Sequence, residues 1–181
     1  MNMTRLHAAK VLRAVVLMSS ALATTGCYAQ ARPSSNSVSA TFTVKLVTPE
    51  TALAAAQAAM AHCSKGGYQV AVAVVDRSGV LQVLLRDRLA GAHTVEVAPQ
   101  KAWTAASVKA STTALAAETQ PGKPMSGLRS LPRFLAAGGG LVIEAGGSVL
   151  GGIGISGAPG GDADEACAAA GLKAIADDLE F

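Results

Sequence analysis

Residues 141–161, LVIEAGGSVLGGIGISGAPGG, constrain the fold more than any other stretch of the chain. Leu141, Val142 and Ile143 form a short apolar run, and Gly146–Gly147 can supply the positive φ angles of a tight hairpin turn. The return strand holds Val149, Leu150, Ile153 and Ile155 but is interrupted by Gly151, Gly152 and Gly154. Glycines weaken an isolated strand, so they mark a place where something comes close: a bulge, another backbone or a ligand. Ser156-Gly157-Ala158-Pro159-Gly160-Gly161 then leads to Asp162 and Glu165, spaced as the N-cap and third residue of a capping box. A flexible loop whose amides converge at a helix start can hold an anion; its plain alternative is a strand-to-helix connection.

The rest of the chain must pack around that hairpin with little bulk, because only 3% of it is aromatic. Residues 41–47 alternate, with Phe42, Val44 and Leu46 against Thr43 and Lys45, which predicts a half-buried strand. Thr48-Pro49-Glu50 begins an alanine-rich helix that Gly66-Gly67 ends. Residues 70–75 are nearly all apolar, a strand covered on both faces, and Asp76-Arg77-Ser78-Gly79 turns it into a partner strand over 80–85. A helix follows over 95–110, with Pro99 expected to kink its first turns, and a short one over 112–118. Gln120 to Gly127 reads as a loop, Leu128, Leu131 and Leu135 as a short helix broken by Pro132, and 163–179 as the last helix. Two hairpins and one further strand predict an α+β fold with an antiparallel sheet of about five strands flanked by helices.

The first residues carry a different signal. Arg5, Lys10 and Arg13 precede a short apolar run over 14–23, and Ala29-Gln30-Ala31 forms an A-x-A site. This is the pattern of a secretory signal peptide over 1–31, with cleavage before Cys27 as a lipoprotein the rival ending. Residues 32–40 read as a polar lead-in, and the domain is expected over 41–181. Without Arg5, Lys10 and Arg13 the chain keeps 12 basic residues beside its 12 acidic ones, so its basic balance belongs to the signal and nothing argues for nucleic-acid binding. The expected place is the periplasm or outside the cell, with no membrane span in the mature chain.

Cys63 and Cys167 would remain. An oxidising compartment permits a bond between them, while two buried, unpaired thiols are the reading taken from the sequence. No C-x-x-C, G-x-S-x-G or H-E-x-x-H occurs, and His62-Cys63 makes a weak two-ligand metal site. The densest polar cluster is Arg86-Asp87-Arg88, His93-Thr94, Glu96 and Lys101. His93, just before a helix, is placed to coordinate a metal or donate to a ligand. A capped helix beside a solvated charged loop is the plainer reading.

Three segments together resemble one family: Gln69 to Asp76; His93-Thr94 through Lys101-Ala102-Trp103-Thr104-Ala105; and Gly154-Ile155-Ser156-Gly157-Ala158 through Gly160-Gly161-Asp162 to Cys167. In order and spacing they are similar to the GlcG/HbpS-like heme-binding family. The resemblance implies about five antiparallel strands with flanking helices in a profilin-like layering, oligomers and heme binding, with redox sensing or heme degradation in some members. Other members sit in glycolate or aldehyde-utilisation operons. Members often carry Met-Asp-Gly after the first hairpin, where this chain has Arg86-Asp87-Arg88.

The expected function is therefore an exported heme binder. His93 would be the axial or contacting imidazole, and Arg86, Arg88 or Lys101 would neutralise propionates. The rival is an accessory enzyme or binder for a small 2-hydroxy or 2-oxo carboxylate. In it Asp87 and His93 do acid–base work, and the loop with Gly157, Gly160 and Gly161 holds the carboxylate; Thr94, beside His93, is a further candidate ligand contact. A third reading is a ligand-free assembly protein. An even-numbered homo-oligomer is expected, formed through the glycine-rich strand over 149–155 and the helix after it.

Overall fold

The computed structural model describes residues 39–179; the expected signal peptide, Cys27 and most of the lead-in lie outside the described residues. The elements are α1 (Pro49–Lys65), β1 (Ala71–Asp76), β2 (Leu81–Arg86), α2 (Thr94–Val108), α3 (Thr112–Glu118), β3 (Gly140–Ala145), β4 (Ser148–Ser156) and α4 (Gly161–Ala174). A 3-10 turn over Ser126–Ser130 takes the place of the leucine-spaced helix, and another over Asp177–Leu179 follows α4. Thr48 caps α1, its hydroxyl accepting from the Thr51 amide, with Pro49 beside it.

The four strands are antiparallel in the order β2-β1-β4-β3, so the two predicted hairpins lie side by side and form the α+β sheet. The fifth strand is absent among the described residues: 41–48 precede α1 without pairing into the sheet. Alternation gave those residues a strand pattern, but a strand also needs an edge, and Val44 and Leu46 stay 38% and 50% exposed.

The register fixes what each face buries. Val72 lies opposite Leu85 and Ile155, and Val74 opposite Val83 and Ile153. With Ile143, Leu150 and Ile175 they form the larger core, closed by the alanines of α1 and by α4. On the other face Ala73 and Val75 lie opposite Gly154 and Gly152, and they pack under Ala98, Ala102 and Ala106 of α2. The interrupting glycines admit another backbone. A Cβ on Gly154 would stand 2.2 Å from the Ala98 carbonyl oxygen, and one on Gly152 2.5 Å from that of Ala102. This also corrects the expected subunit contact: β4 is an inner strand, buried from Leu150 to Ser156, and is closed to a neighbour.

Small residues bring the first and last helices equally close. Gly171 sits under the Ala55 carbonyl, and one end of the pair is bonded, Cys63 to Cys167, with Cα atoms 5.5 Å apart. The unpaired-thiol reading and the His62-Cys63 metal pair are thereby overturned, because two helices faced with alanine and glycine come within bonding reach of each other's cysteines. The start of α4 differs too. Gly160, in extended conformation, is its N-cap; Asp162 falls in the first turn, and Glu165 accepts from the Thr113 hydroxyl instead of closing a capping box. Helix α2 continues through Pro99, in its second turn, and ends at Val108, before the left-handed Lys109. On its outer side Trp103 packs over Gly79 of the β1–β2 turn, with the Arg133 guanidinium 5.0 Å from the ring centre.

Candidate functional site

The residues singled out in the sequence fall into two places, both attached to α2. The first is the connection from β2 into that helix. Asp87 donates its amide to the Val70 carbonyl and accepts the Ala90 amide, which folds the chain back at once. The Arg86 guanidinium donates to the Ala90 carbonyl, and the Thr94 hydroxyl donates to the Gly91 carbonyl at 2.7 Å. Thr94 is fully buried, so it shapes the loop and does not face a ligand. His93 is the exposed residue at the helix start, its ring lying over Gly91 closely enough that a Cβ there would meet Cε1 at 2.7 Å. Arg86 and Arg88 are exposed, Leu89 is 76% exposed, and Leu84 projects partly into solvent from β2. One imidazole, two guanidinium groups and two partly or largely exposed leucines thus fall within residues 84–93.

The second place is internal. Lys101 lies two turns along α2 from His93, about 12 Å at 1.5 Å per residue, and is 4% exposed. Its Nζ donates to Asp164 Oδ2 at 2.7 Å and to the Ile155 carbonyl at 2.9 Å. Asp164 Oδ1 accepts the Ala158 amide at 3.0 Å. Sequence placed Lys101 among the exposed cations that greet a propionate; its charge is used inside the molecule. Gly139, with φ +110°, makes room: a Cβ on it would meet the Asp164 side chain at 2.5 Å and Lys101 Nζ at 3.1 Å. Burial pushes the Asp164 carboxyl above its ordinary range, while the hydrogen bond and charge of Lys101 and the Ala158 amide pull the other way.

One amide of the expected anion loop is taken from within. The carboxylate taking its Ala158 amide is Asp164 itself. Gly157, at φ +131°, is pressed on the Gln69 carbonyl, and Gly161 lies on Gly138, so Gly160 alone of the three opens outward. Sequence reasoning missed Asp164; its signal was the pairing of one lysine on an alanine face with a glycine loop far along the chain.

Residues 47–173 match the family described as haem degrading protein HbpS-like. The chain belongs to the HbpS-like family. Among solved structures, a double mutant of Streptomyces reticuli HbpS is 38% identical at a TM-score of 0.71, covering 79% of this chain and 96% of that one. A PduOC–heme complex is 31% identical at a TM-score of 0.68, covering 72% and 95%. The corrinoid adenosyltransferase PduO of Citrobacter freundii is 36% identical over 103 residues, and this HbpS-like chain spans about a third of that relative's length (31%). The segments that carried the resemblance in the sequence supply His93 and both members of the Lys101–Asp164 pair, while residues 84–89 before His93 lie outside them. Among the described residues no cluster of three or more His, Cys, Asp or Glu side chains is arranged to hold a bare metal ion, and no helix is long and apolar enough to cross a membrane.

Proposed function

We propose that this chain binds heme at the β2–α2 surface, as part of an exported heme-storage, sensing or degradation system. The observation that carries the reading is the donor set around His93. An exposed imidazole can ligate iron, Leu84 and Leu89 offer apolar contact to a macrocycle, and Arg86 and Arg88 offer cations to its propionates. Heme supplies the iron and the conjugated ring; the chain supplies position, through a loop tied back by the Arg86–Ala90 and Thr94–Gly91 hydrogen bonds. The heme complex among its relatives and the family match support the same reading. The Cys63–Cys167 bond supports export, because such bonds persist in oxidising compartments. The small-carboxylate reading has one donor fewer, since the Ala158 amide of the loop over 157–161 donates to the chain's own Asp164.

Titration with hemin tests the proposal. We expect a Soret band shift that saturates at one heme per chain, and loss of that shifted band in His93→Ala with the far-ultraviolet circular dichroism unchanged. Arg86→Ala with Arg88→Ala should weaken binding while keeping the band position. A His93→Ala spectrum identical to that of the parent removes His93 from the site, and no shift in the parent removes the proposal.

A further inference from the structure

Beside the Cys63–Cys167 bond, helices α1 and α4 leave a hollow of about 410 Å³, within the size range of small-molecule pockets. His62 and Lys65, three residues apart on one face of the last turns of α1, line it from one side. Ala163, Ala166 and Cys167 line it from α4, and Tyr68 completes the lining.

Local geometry holds these groups in place. Gly67, at φ +78°, turns the chain at the end of α1; its amide donates to the Ser64 carbonyl, and the Tyr68 amide donates to the Cys63 carbonyl, both at 3.0 Å. Cys63 thus fixes Tyr68 through its carbonyl and α4 through its sulfur. The Tyr68 ring lies against Gly66, where a Cβ would meet Cε2 at 2.9 Å, and packs on the larger core.

The lining has one chemical character. The His62 imidazole, the Lys65 ammonium and the Tyr68 hydroxyl can all donate, and among the described residues no carboxylate lines the hollow. Asp162, in the first turn of α4, is exposed and outside the lining. Among the described residues none of the three side chains spends a donor on the protein itself, whereas Lys101 and Lys123 are paired with acids. The larger groove, about 760 Å³ between β3 and the end of α4, is lined by both Glu144 and Lys173 and selects no sign of charge. Beside its donors the smaller hollow offers apolar surface, from Ala163, Ala166 and the Tyr68 ring.

We propose that this hollow binds a small organic anion, a carboxylate carried on a compact apolar or aromatic body. The carboxylate takes charge-assisted hydrogen bonds from Lys65 and His62 and a further one from the Tyr68 hydroxyl, while the body rests on Ala163 and Ala166. The site is independent of the heme proposal: α1 and α4 cover one face of the sheet, and α2, which begins beside His93, covers the other.

The test is calorimetric titration of the full-length, oxidised protein with sodium benzoate in a buffer free of other carboxylates. We expect saturable binding at one benzoate per chain and none of benzyl alcohol, which has the same ring without the charge. His62→Ala with Lys65→Ala should raise the dissociation constant about tenfold or more. Ala166→Leu, at an exposed helical position, fills the hollow and should abolish binding, which covers the case in which the first variant fails to fold. Lys173→Ala, which removes a cation from the larger groove, should leave binding unchanged. A parent that does not bind benzoate overturns the proposal. So does binding that is indifferent to both pocket variants or equally weakened by Lys173→Ala. Equal binding of benzyl alcohol overturns it, and so does displacement of benzoate by equimolar phosphate, because the hollow then reads only the body or only the charge. A hemin Soret shift that depends on His62 and not on His93 also overturns it, by making the hollow the heme site. Benzoate binding that is unchanged in His93→Ala supports it, even where the hemin titration fails.

Discussion

Toward α1 and α4 the inner strands present Val72, Val74, Ile153 and Ile155; toward α2 the same strands present Ala71, Ala73, Gly152 and Gly154. The first side is filled by branched side chains and fastened by a disulfide. The second is filled by the α2 backbone itself, which rests on the glycines of β4, and it contains the buried Lys101–Asp164 pair. A side-chain interface gives up atoms one methyl at a time. A backbone interface cannot accept a single added carbon, and a charged pair within it cannot lose one member alone.

The largest effect should come from the fastened side. Replacing Cys63 and Cys167 together with serine opens a link spanning 104 residues, and the chain-entropy relation gives a loss of about 5 kcal/mol. Urea unfolding of the oxidised parent and the double variant measures it; a loss under about 1 kcal/mol would show that α1 and α4 hold each other by packing alone.

Next comes the pair under α2. Lys101→Met strands a buried carboxylate and should cost about 4 kcal/mol, whereas adding Asp164→Leu should recover much of that loss. Equal losses in the single and double variants would mean that the pair is not coupled as the 2.7 Å contact indicates.

Two adjacent residues of β4 then compare the faces directly. Gly154→Ala drives a methyl into the Ala98 carbonyl and should cost about 3 kcal/mol, while Ile153→Val, on the other face, should cost about 1 kcal/mol. Similar values from thermal melts would erase the distinction between the faces.

The smallest signal is in pH. Asp164 in the folded chain holds its proton more tightly than the ordinary carboxyl at 3.8, because burial disfavours its charge. Between 3.8 and the raised folded value the native state therefore binds more protons than the unfolded one. This group's contribution grows as pH falls through that window and is lost as pH rises through it, with a slope no steeper than about 1.4 kcal/mol per pH unit. Denaturant midpoints from pH 7 down to 4 should differ in slope between the parent and Asp164→Asn. Parallel curves would assign the acid response to other carboxylates.

The same contrast explains what could be read in the sequence. The hairpins, α1, α2 and α3 were legible because turn glycines, caps and apolar runs act over a few residues. Gly152 and Gly154 announced a close approach, but local pattern does not name the partner, and ligand and helix backbone looked alike. Lys101 was misplaced for a related reason: on paper it is a cation near His93, and only the Asp164 carboxylate, brought in by the chain's far end, makes its burial affordable. The Cys63–Cys167 bond depends on how two alanine-rich helices face each other, which their nearly uniform composition leaves undefined. Residues 41–47 misled in the other direction, since alternation describes a side of the chain and says nothing about whether an edge is waiting for it.

Trp103 is the chain's single tryptophan, and its setting gives the molecule a built-in optical gauge. The indole is held between the Gly79 turn and the Arg133 guanidinium, three turns along α2 from His93, so its emission reports on one small area and on no other. A porphyrin at His93 would absorb where that indole emits and would darken it by energy transfer over a distance set by the rigid helix between them. The fluorescence of an unlabelled sample thus becomes a ruler as well as a binding assay, and a ligand settling at the far edge of the sheet would quench it to a different depth.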